Sequence, residues 1–217
     1  MIKTIVACIG LTLSLPLFAA SISYNGYTLD EDANIVSGGG LQWLQWDETV
    51  GQTVHEALGN YGAGGWRLAT NAEMAKLFNS FDFGMTFDAD ENTYQSYLFS
   101  AGENSFDAPN EFIDLFGDTF LASGSVYDSV DPRQYASAYF GEDGDGDHQF
   151  NFASVQDEYT TIGGALVQSH ARLYRDDFTV NAAGFANGVA LVRAVPVPAA
   201  GWLLLSALMG LVIKKRV

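Results

Sequence analysis

Cysteine and basic residues are the scarcest features of this sequence. Cys8 is the only cysteine, and it lies within the apolar N-terminal segment. Once that segment is removed, the chain has no disulfide, no thiol nucleophile and no cysteine-ligated metal. The 26 acidic residues outnumber the 10 basic ones and give a net charge of −16. Such a chain is not expected to bind nucleic acid, because phosphates need a cationic face.

What the chain does contain is typical of a folded domain. Hydrophobic residues make up 48% and charged residues 17%, which is too apolar for a disordered acidic tail. Aromatic residues supply 13%, and 23 glycines with almost no lysine between the two ends favour a loop-rich domain with strands over a helical bundle. We therefore expect one α+β domain with two helices and short strands over residues 22–194.

Residues 1–21 have the features of a secretory signal peptide. Lys3 precedes a short apolar run over residues 4–18, and small residues follow it. The run is too short to span a bilayer, which takes about 20 apolar residues. We expect cleavage between Ala19 and Ser23, with Ser21 and Ala20 as the favoured last residues of the segment, and a retained anchor is the alternative.

Residues 195–217 carry a second set of terminal features. Fifteen uncharged, mostly apolar residues, 199–213, are followed by three basic residues, Lys214, Lys215 and Arg216. A helix of that length rises about 22 Å, short of a hydrocarbon core of about 30 Å, although local thinning of the bilayer reduces the difference. We expect a transmembrane helix whose basic end stays cytoplasmic while the preceding chain is exported. A buried or amphipathic helix that ends the domain is the alternative.

The beginning of this tail reads Val195-Pro196-Val197-Pro198-Ala199. Together with the apolar run and the basic end, it resembles the PEP-CTERM class of C-terminal sorting signals of Gram-negative bacteria, in the Val-Pro-x-Pro-Ala variant. The resemblance implies a sorting motif at Val195, Pro196, Pro198 and Ala199, an exosortase-type membrane enzyme as partner, and association with the cell surface and exopolysaccharide. Val197 stands where that family usually has Glu.

The body of the chain carries the negative charge. All 26 acidic residues and only six basic ones lie between the two terminal segments, for a formal charge of about −20. This charge suits solubility outside the cell, repels anionic surfaces and attracts divalent cations.

The first half of the body shows three local patterns. Residues 21–32 are typical of an edge strand, and the aromatic residues in 41–46 indicate another strand after a glycine turn. Apolar residues at helical spacing predict a helix over 49–58, with the acidic pair Asp47 and Glu48 at the positive end of its dipole. Glycines in 59–65 are expected to end it.

A second helix is predicted after Thr70. Thr70 and Glu73 have the spacing of a capping box, and the apolar positions that follow make one helix face. That face consists of Met74, Leu77, Phe78 and Phe81.

The second half of the body is less regular. One or two helical turns are expected over 110–116, and residues 178–188 are expected to form a loop over the core. Strands are predicted near 134–140, 150–155, 161–167 and 189–195.

The segment Trp66-Arg67-Leu68-Ala69-Thr70, with Leu41-Gln42-Trp43 before it, carries a second resemblance. It is similar to a family of exported bacterial domains of unknown function whose hallmark is Trp-Arg-Leu-Pro-Thr before a Glu-Leu helix. Those domains have the C-type-lectin-like fold of formylglycine-generating enzymes. The closing strand, 188–193, also suits that family, and Ala69 replaces its proline. The resemblance implies the fold and no activity, because the related enzymes use cysteine.

One acidic segment is a candidate metal site. Asp143, Asp145 and Asp147 alternate with glycines, and flexible carboxylates and carbonyls are the ligands that Ca²⁺ takes. The spacing is not that of an EF-hand, which needs glycine at position 6 and glutamate at position 12. Two interpretations stay open, a calcium site and a solvated acidic hairpin turn. A weaker cluster at Asp88, Asp90 and Glu91 is interpreted as a plain loop.

The remaining chemistry-bearing residues have structural interpretations. Three tryptophans could stack on sugars, but buried core positions are commoner. The histidines are far apart, and no pair has metal-ligand spacing. No nucleophile elbow, phosphate loop or zinc motif occurs. These tryptophans are Trp43, Trp46 and Trp66, and the histidines are His55, His148 and His170.

These observations favour an exported, surface-sorted, non-enzymatic protein. Its expected role is structural or adhesive, in an extracellular polysaccharide matrix, with calcium as the one cofactor to test. A surface enzyme acting on glycans is the alternative, since paired carboxylates are available among so many acids.

Overall fold

The described part of the chain is a mixed α+β structure. A computed structural model describes residues 21–99, 107–122, 134–142, 146, 149–157, 160–162, 165–167, 169–179 and 183–195. The strands are β1 Ser23–Tyr24, β2 Tyr27–Asp30, β3 Ile35–Gly38, β4 Leu41–Leu44, β5 Arg67–Leu68, β6 Gln95–Leu98, β7 Tyr135–Phe140, β8 Gln149–Gln156, β9 Thr160–Ile162, β10 Ala165–Val167, β11 His170–Thr179, β12 Gly188–Val189 and β13 Leu191–Ala194. The helices are α1 Val54–Tyr61, α2 Asn71–Phe81, α3 Asp107–Phe116 and α4 Thr119–Ala122, with 3₁₀ helices at Trp46–Thr49 and Gly62–Gly64. The α+β class is confirmed, and four α-helices replace the two expected.

The first sheet has six strands in the order β1-β2-β3-β4-β13-β5 and is antiparallel throughout. The single edge strand predicted over 21–32 is wrong, because the chain turns back at Asn25 and Gly26, which have φ angles of 46° and 84°. Asn-Gly with both residues at positive φ is the turn that closes a tight hairpin, so the segment forms β1 and β2. The glycine turn before β4 is confirmed, with Gly39 and Gly40 also at positive φ.

The second sheet has five strands in the order β12-β7-β8-β11-β6, and β9 pairs with β10 in a separate hairpin. The strand predicted over 161–167 is therefore two strands. The strand predicted over 189–195 is also two: β12 belongs to the second sheet and β13 to the first. Ala190 joins them, since its N–H donates to the Tyr139 carbonyl at 2.9 Å and its carbonyl accepts from Ala69 N–H at 2.9 Å. Strand β11 extends to Thr179, so the first two residues of the loop predicted over 178–188 belong to a strand.

Helix α1 begins five residues later than the periodicity predicts. Thr53 caps it: its Oγ1 accepts from Glu56 N–H at 3.1 Å, and the Glu56 carboxylate accepts from Thr53 N–H at 2.9 Å. The preceding residues instead form a 3₁₀ turn, which Thr49 ties to β12 by accepting from Val189 N–H at 2.7 Å. The placement of Asp47 at the start of α1 is therefore wrong.

Helix α2 has the predicted capping box, and an arginine extends it. Thr70 Oγ1 accepts from Glu73 N–H at 3.1 Å, and the Glu73 carboxylate accepts from Thr70 N–H at 2.9 Å. Arg67 donates two hydrogen bonds to the same carboxylate, at 2.8 and 2.6 Å. Arg67 and Glu73 thus connect β5 to the first turn of α2.

The main core lies between the two sheets, α2 and α3. Small residues of the second sheet face large aromatic residues of the two helices. Phe112 and Phe116 of α3 pack against Trp46 with ring centroids 5.3 Å apart. Helix α3 ends where the sequence predicts, at Phe116, but begins at Asp107, three residues before the predicted 110–116. The helix residues in this core are Met74, Leu77, Phe78, Phe81, Phe112, Ile113, Leu115 and Phe116.

Candidate functional site

An acidic cleft of about 410 Å³ opens where the 3₁₀ turn at Trp46–Thr49 meets the corner between α3 and α4. Its walls combine carboxylates, amides and two apolar side chains. We call this the acidic cleft; its lining is Gln45, Asp47, Ile113, Asp114, Gly117, Asp118, Leu121 and Gln134.

Asp47 is the most perturbed carboxylate of the cleft. Its Oδ1 is buried without a hydrogen-bond partner. Gly117, at a φ of 90°, lies against this carboxyl group, and a Cβ at that position would overlap it. Burial, and to a smaller extent the neighbouring charges of Glu48 and Asp118, raise the pKa of Asp47 from 3.8 to about 6, although backbone N–H groups nearby act in the opposite direction.

Two other polar side chains of the lining, those of Gln45 and Asp118, are held by backbone contacts. Gln45 is buried, and its Nε2 donates to the Leu115 carbonyl of α3 at 2.9 Å. Asp118 caps the short α4 through its Oδ1, which accepts from Phe120 N–H at 3.0 Å and Leu121 N–H at 3.2 Å. The side chains of Gln45 and Asp118 are therefore fixed in position by the backbone of α3 and α4.

The charge of the lining restricts what the cleft can take. Three of its eight residues are aspartates, and none is basic. Carboxylates accept hydrogen bonds from hydroxyl and amino groups, and side-chain amides both accept and donate them. The apolar side chains of Ile113 and Leu121 provide contact for C–H surfaces. The arrangement suits a neutral or cationic polar ligand and disfavours an anionic one.

Protonation of Asp47 adds a second chemical property. Near pH 6 a carboxyl group of this kind exchanges its proton in the range where it can act as a general acid. The carboxylate of Asp118 lines the same cleft and contributes to the raised pKa. A pair of carboxyl groups is the minimal equipment for glycosidic bond hydrolysis.

Most of the sequence-predicted site residues lie outside the described residues. These are the acidic residues Asp143, Asp145 and Asp147, the tail residues Pro196, Pro198, Ala199, Lys214, Lys215 and Arg216, the signal segment 1–20, and His148. Val195 is described and exposed, immediately after β13. Within the described residues, no group of three or more His, Cys, Asp or Glu side chains is placed to hold a metal ion.

The three tryptophans in the described part of the chain are core residues. Trp43 and Trp46 are 2% and 0% exposed, which rules out their stacking on a sugar from solvent. Trp66 is also buried, and the guanidinium of Arg193 lies 4.4 Å from its ring centroid. The structural interpretation of these three residues is confirmed.

The remaining candidates lie apart from the cleft. His55 is exposed on α1, while His170 is buried and its Nε2 lies 3.1 Å from Ser154 Oγ. Asp90 makes a local turn, accepting from Asn92 N–H at 3.0 Å and from Thr93 Oγ1 at 2.7 Å.

Sequence reasoning missed the acidic cleft because its lining comes from three separate segments. Asp47 was the one visible signal, and the sequence interpretation assigned it to a helix dipole. Its position beside α3 depends on the packing of Phe112 and Phe116 against Trp46, which no local pattern encodes.

In the described part of the chain, no helix has the length and apolar composition needed to cross a membrane. Comparison with family models, curated proteins and solved structures found no match to this chain.

Proposed function

We propose that this chain is an exported, surface-sorted, non-enzymatic protein that binds extracellular polysaccharide through the acidic cleft. The single observation that carries the binding role is the composition of that cleft. Carboxylates and amides line the cleft together with the apolar side chains of Ile113 and Leu121.

The chemistry of sugars supports this choice of ligand. A polysaccharide presents hydroxyl groups at its edges and C–H groups on its faces. Gln45, Asp47 and Asp114 offer acceptors and donors for the hydroxyls, while the exposed Leu121 offers apolar contact. The absence of basic lining residues favours neutral or amino sugars over uronates.

Export and sorting are supported by the two ends of the sequence. The signal-peptide pattern of 1–21 and the sorting pattern of 195–217 flank a body that carries all 26 acidic residues. We propose that an exosortase-type enzyme processes the tail and that the body, 22–194, stays at the cell surface or is released.

A C-type-lectin-like fold is part of the proposal. The segments that carry the family resemblance are far apart in the sequence, yet they form adjacent strands of one sheet. Strand β13 lies between β4 and β5, pairing Val192 with Trp43 on one side and with Arg67 on the other. This pairing supports the assignment of the three segments to one structural unit, as the lectin-like resemblance implies.

A binding assay with matched variants tests the proposal. The full chain is run in affinity electrophoresis through gels that contain neutral, amino-sugar or uronate polysaccharides. We expect retardation by a neutral or amino-sugar polymer. Loss of one hydrogen bond is worth about 0.5–1.5 kcal/mol, so Asp114→Ala should weaken binding about 2- to 12-fold.

The control is Asp30→Ala, which removes an exposed carboxylate of β2 outside the cleft. It should bind like the unmodified chain. Equal mobility in all gels, or equal weakening by Asp30→Ala and Asp114→Ala, would refute binding through the cleft.

A surface enzyme acting on glycans is the second candidate. The observation that favours it is the pKa of about 6 at Asp47, beside the second carboxylate Asp118. Release of reducing ends from a polysaccharide, abolished by Asp47→Asn and retained by Asp30→Asn, would support the enzyme over the binder.

A further inference from the structure

Two buried asparagines have carbonyl oxygens without hydrogen-bond partners. Asn71, the first residue of α2, is 8% exposed, and Asn151 on β8 is 3% exposed. The Oδ1 atoms of both are buried and accept no hydrogen bond. A buried acceptor left unsatisfied costs about 1–3 kcal/mol, so two such atoms in one structure require an explanation.

The two oxygens converge on one place. They lie 2.6 Å (Asn71) and 2.8 Å (Asn151) from the position that a Cβ atom on Gly141 would occupy. Gly141 follows the last residue of β7 and has a φ of 112°, a conformation that favours glycine. The missing side chain leaves both carbonyl oxygens facing the same side of this residue.

The orientation of the Asn151 amide is settled by its other contacts. Its Nδ2 donates to the carbonyls of Glu91 at 2.8 Å and Tyr174 at 3.0 Å. A flipped amide would place an oxygen against two carbonyl oxygens, so Oδ1 must face Gly141.

We propose that Asn71 Oδ1 and Asn151 Oδ1 are two ligands of a Ca²⁺ ion bound beside Gly141. Amide oxygens are standard ligands of this hard cation, and the ion would satisfy both acceptors at once. The exposed carboxylate of Glu142, the next residue, adds favourable negative charge nearby.

This site is distinct from the calcium hypothesis for the acidic segment. That hypothesis used Asp143, Asp145 and Asp147, whereas the two amide oxygens come from the first residue of α2 and from β8. The ion would tie these two elements to the end of β7 and would therefore stabilise the fold. It is independent of the acidic cleft and of its proposed ligand.

The test is the melting temperature of the full chain as a function of Ca²⁺, starting from a chelator-treated sample. A ligand that binds only the native state raises the melting temperature with concentration. We expect a saturable rise with Ca²⁺. Asn71→Leu should weaken the apparent affinity about tenfold or more. Asn71→Asp adds a charged oxygen ligand and should strengthen it.

Two controls make the result specific. Asn60→Asp changes an exposed residue of α1 and should leave the calcium dependence unchanged. The triple variant Asp143→Asn, Asp145→Asn, Asp147→Asn should retain a calcium-dependent rise that Asn71→Leu weakens.

Three results would overturn the proposal. A melting temperature independent of Ca²⁺ would mean that the two oxygens hold no ion, and that a water molecule or a rotated Asn71 amide satisfies them instead. An unchanged affinity in both Asn71 variants would place the ion elsewhere. Complete loss of the effect in the triple variant, with Asn71→Leu and Asn71→Asp both unaltered, would assign it to the acidic segment.

Discussion

The raised pKa of Asp47 predicts a specific pH dependence of stability. The folded state holds the proton of this carboxyl group up to about pH 6, whereas the unfolded chain releases it near 3.8. Between these values the folded state binds more protons, so this group reduces the free energy of unfolding as pH rises. Replacement by asparagine removes the titration while keeping the shape of the side chain.

The magnitude follows from the shift. About two pKa units at 1.36 kcal/mol each give about 3 kcal/mol if the whole shift counts toward stability. Since Asp47 is only partly buried and solvent screens its neighbours, we expect about 1–3 kcal/mol. The free energy of unfolding of Asp47→Asn, relative to the unmodified chain, should rise by this amount between about pH 4 and 6 and then stay constant.

Urea unfolding followed by tryptophan fluorescence, at half-unit steps from pH 4 to 8, measures this difference. Trp46 lies next to Asp47 and is fully buried, so it reports loss of the local packing. Asp30→Asn serves as the control for a change of one charge. A difference between Asp47→Asn and the unmodified chain that is flat across this range would refute the account of the cleft.

Three further substitutions test the packing around the site. Glu73→Gln keeps the capping contact but loses the charged pair with Arg67, and we expect a cost of about 0.5–1 kcal/mol by thermal unfolding. Arg67 is the main cause of the lowered pKa of Glu73, so this contribution is present above the usual carboxylate pKa and is lost as pH falls below it. Gly117→Ala forces a Cβ into the Asp47 carboxyl group at positive φ and should cost about 1–3 kcal/mol, with weaker polysaccharide binding. In Gly188→Ala, the added Cβ would overlap the Trp46 backbone carbonyl, so we expect the free energy of unfolding to fall by about 1–3 kcal/mol or more. Chemical denaturation measures this loss, and unchanged stability would contradict the packing described.

Local signals in the sequence predicted local structure well. Helix α2 begins at the residue after Thr70 because the cap and the apolar face agree, and both are encoded within the twelve residues from Thr70 to Phe81. The helical spacing from Val50 predicts a start for α1 that is too early, because that spacing takes no account of the capping pair Thr53 and Glu56. A cap was the better guide than periodicity over so short a segment.

Contacts between residues that are distant in sequence cannot be predicted from such local signals. The separation of β12 from β13 at Ala190 depends on hydrogen bonds to Tyr139 and Ala69, which are distant in sequence. The acidic cleft depends likewise on α3 packing against the 3₁₀ turn. The asparagine pair around Gly141 brings together residues 71, 141 and 151, whose polar groups give no pattern in the sequence.

Intact-mass spectrometry of the protein recovered from separated cell fractions tests whether the chain is exported and processed. We expect a chain in the envelope or medium that lacks the first 19 to 23 residues, with the body through Ala194 intact. A chain with both ends uncut, recovered from the cytosol, would contradict it.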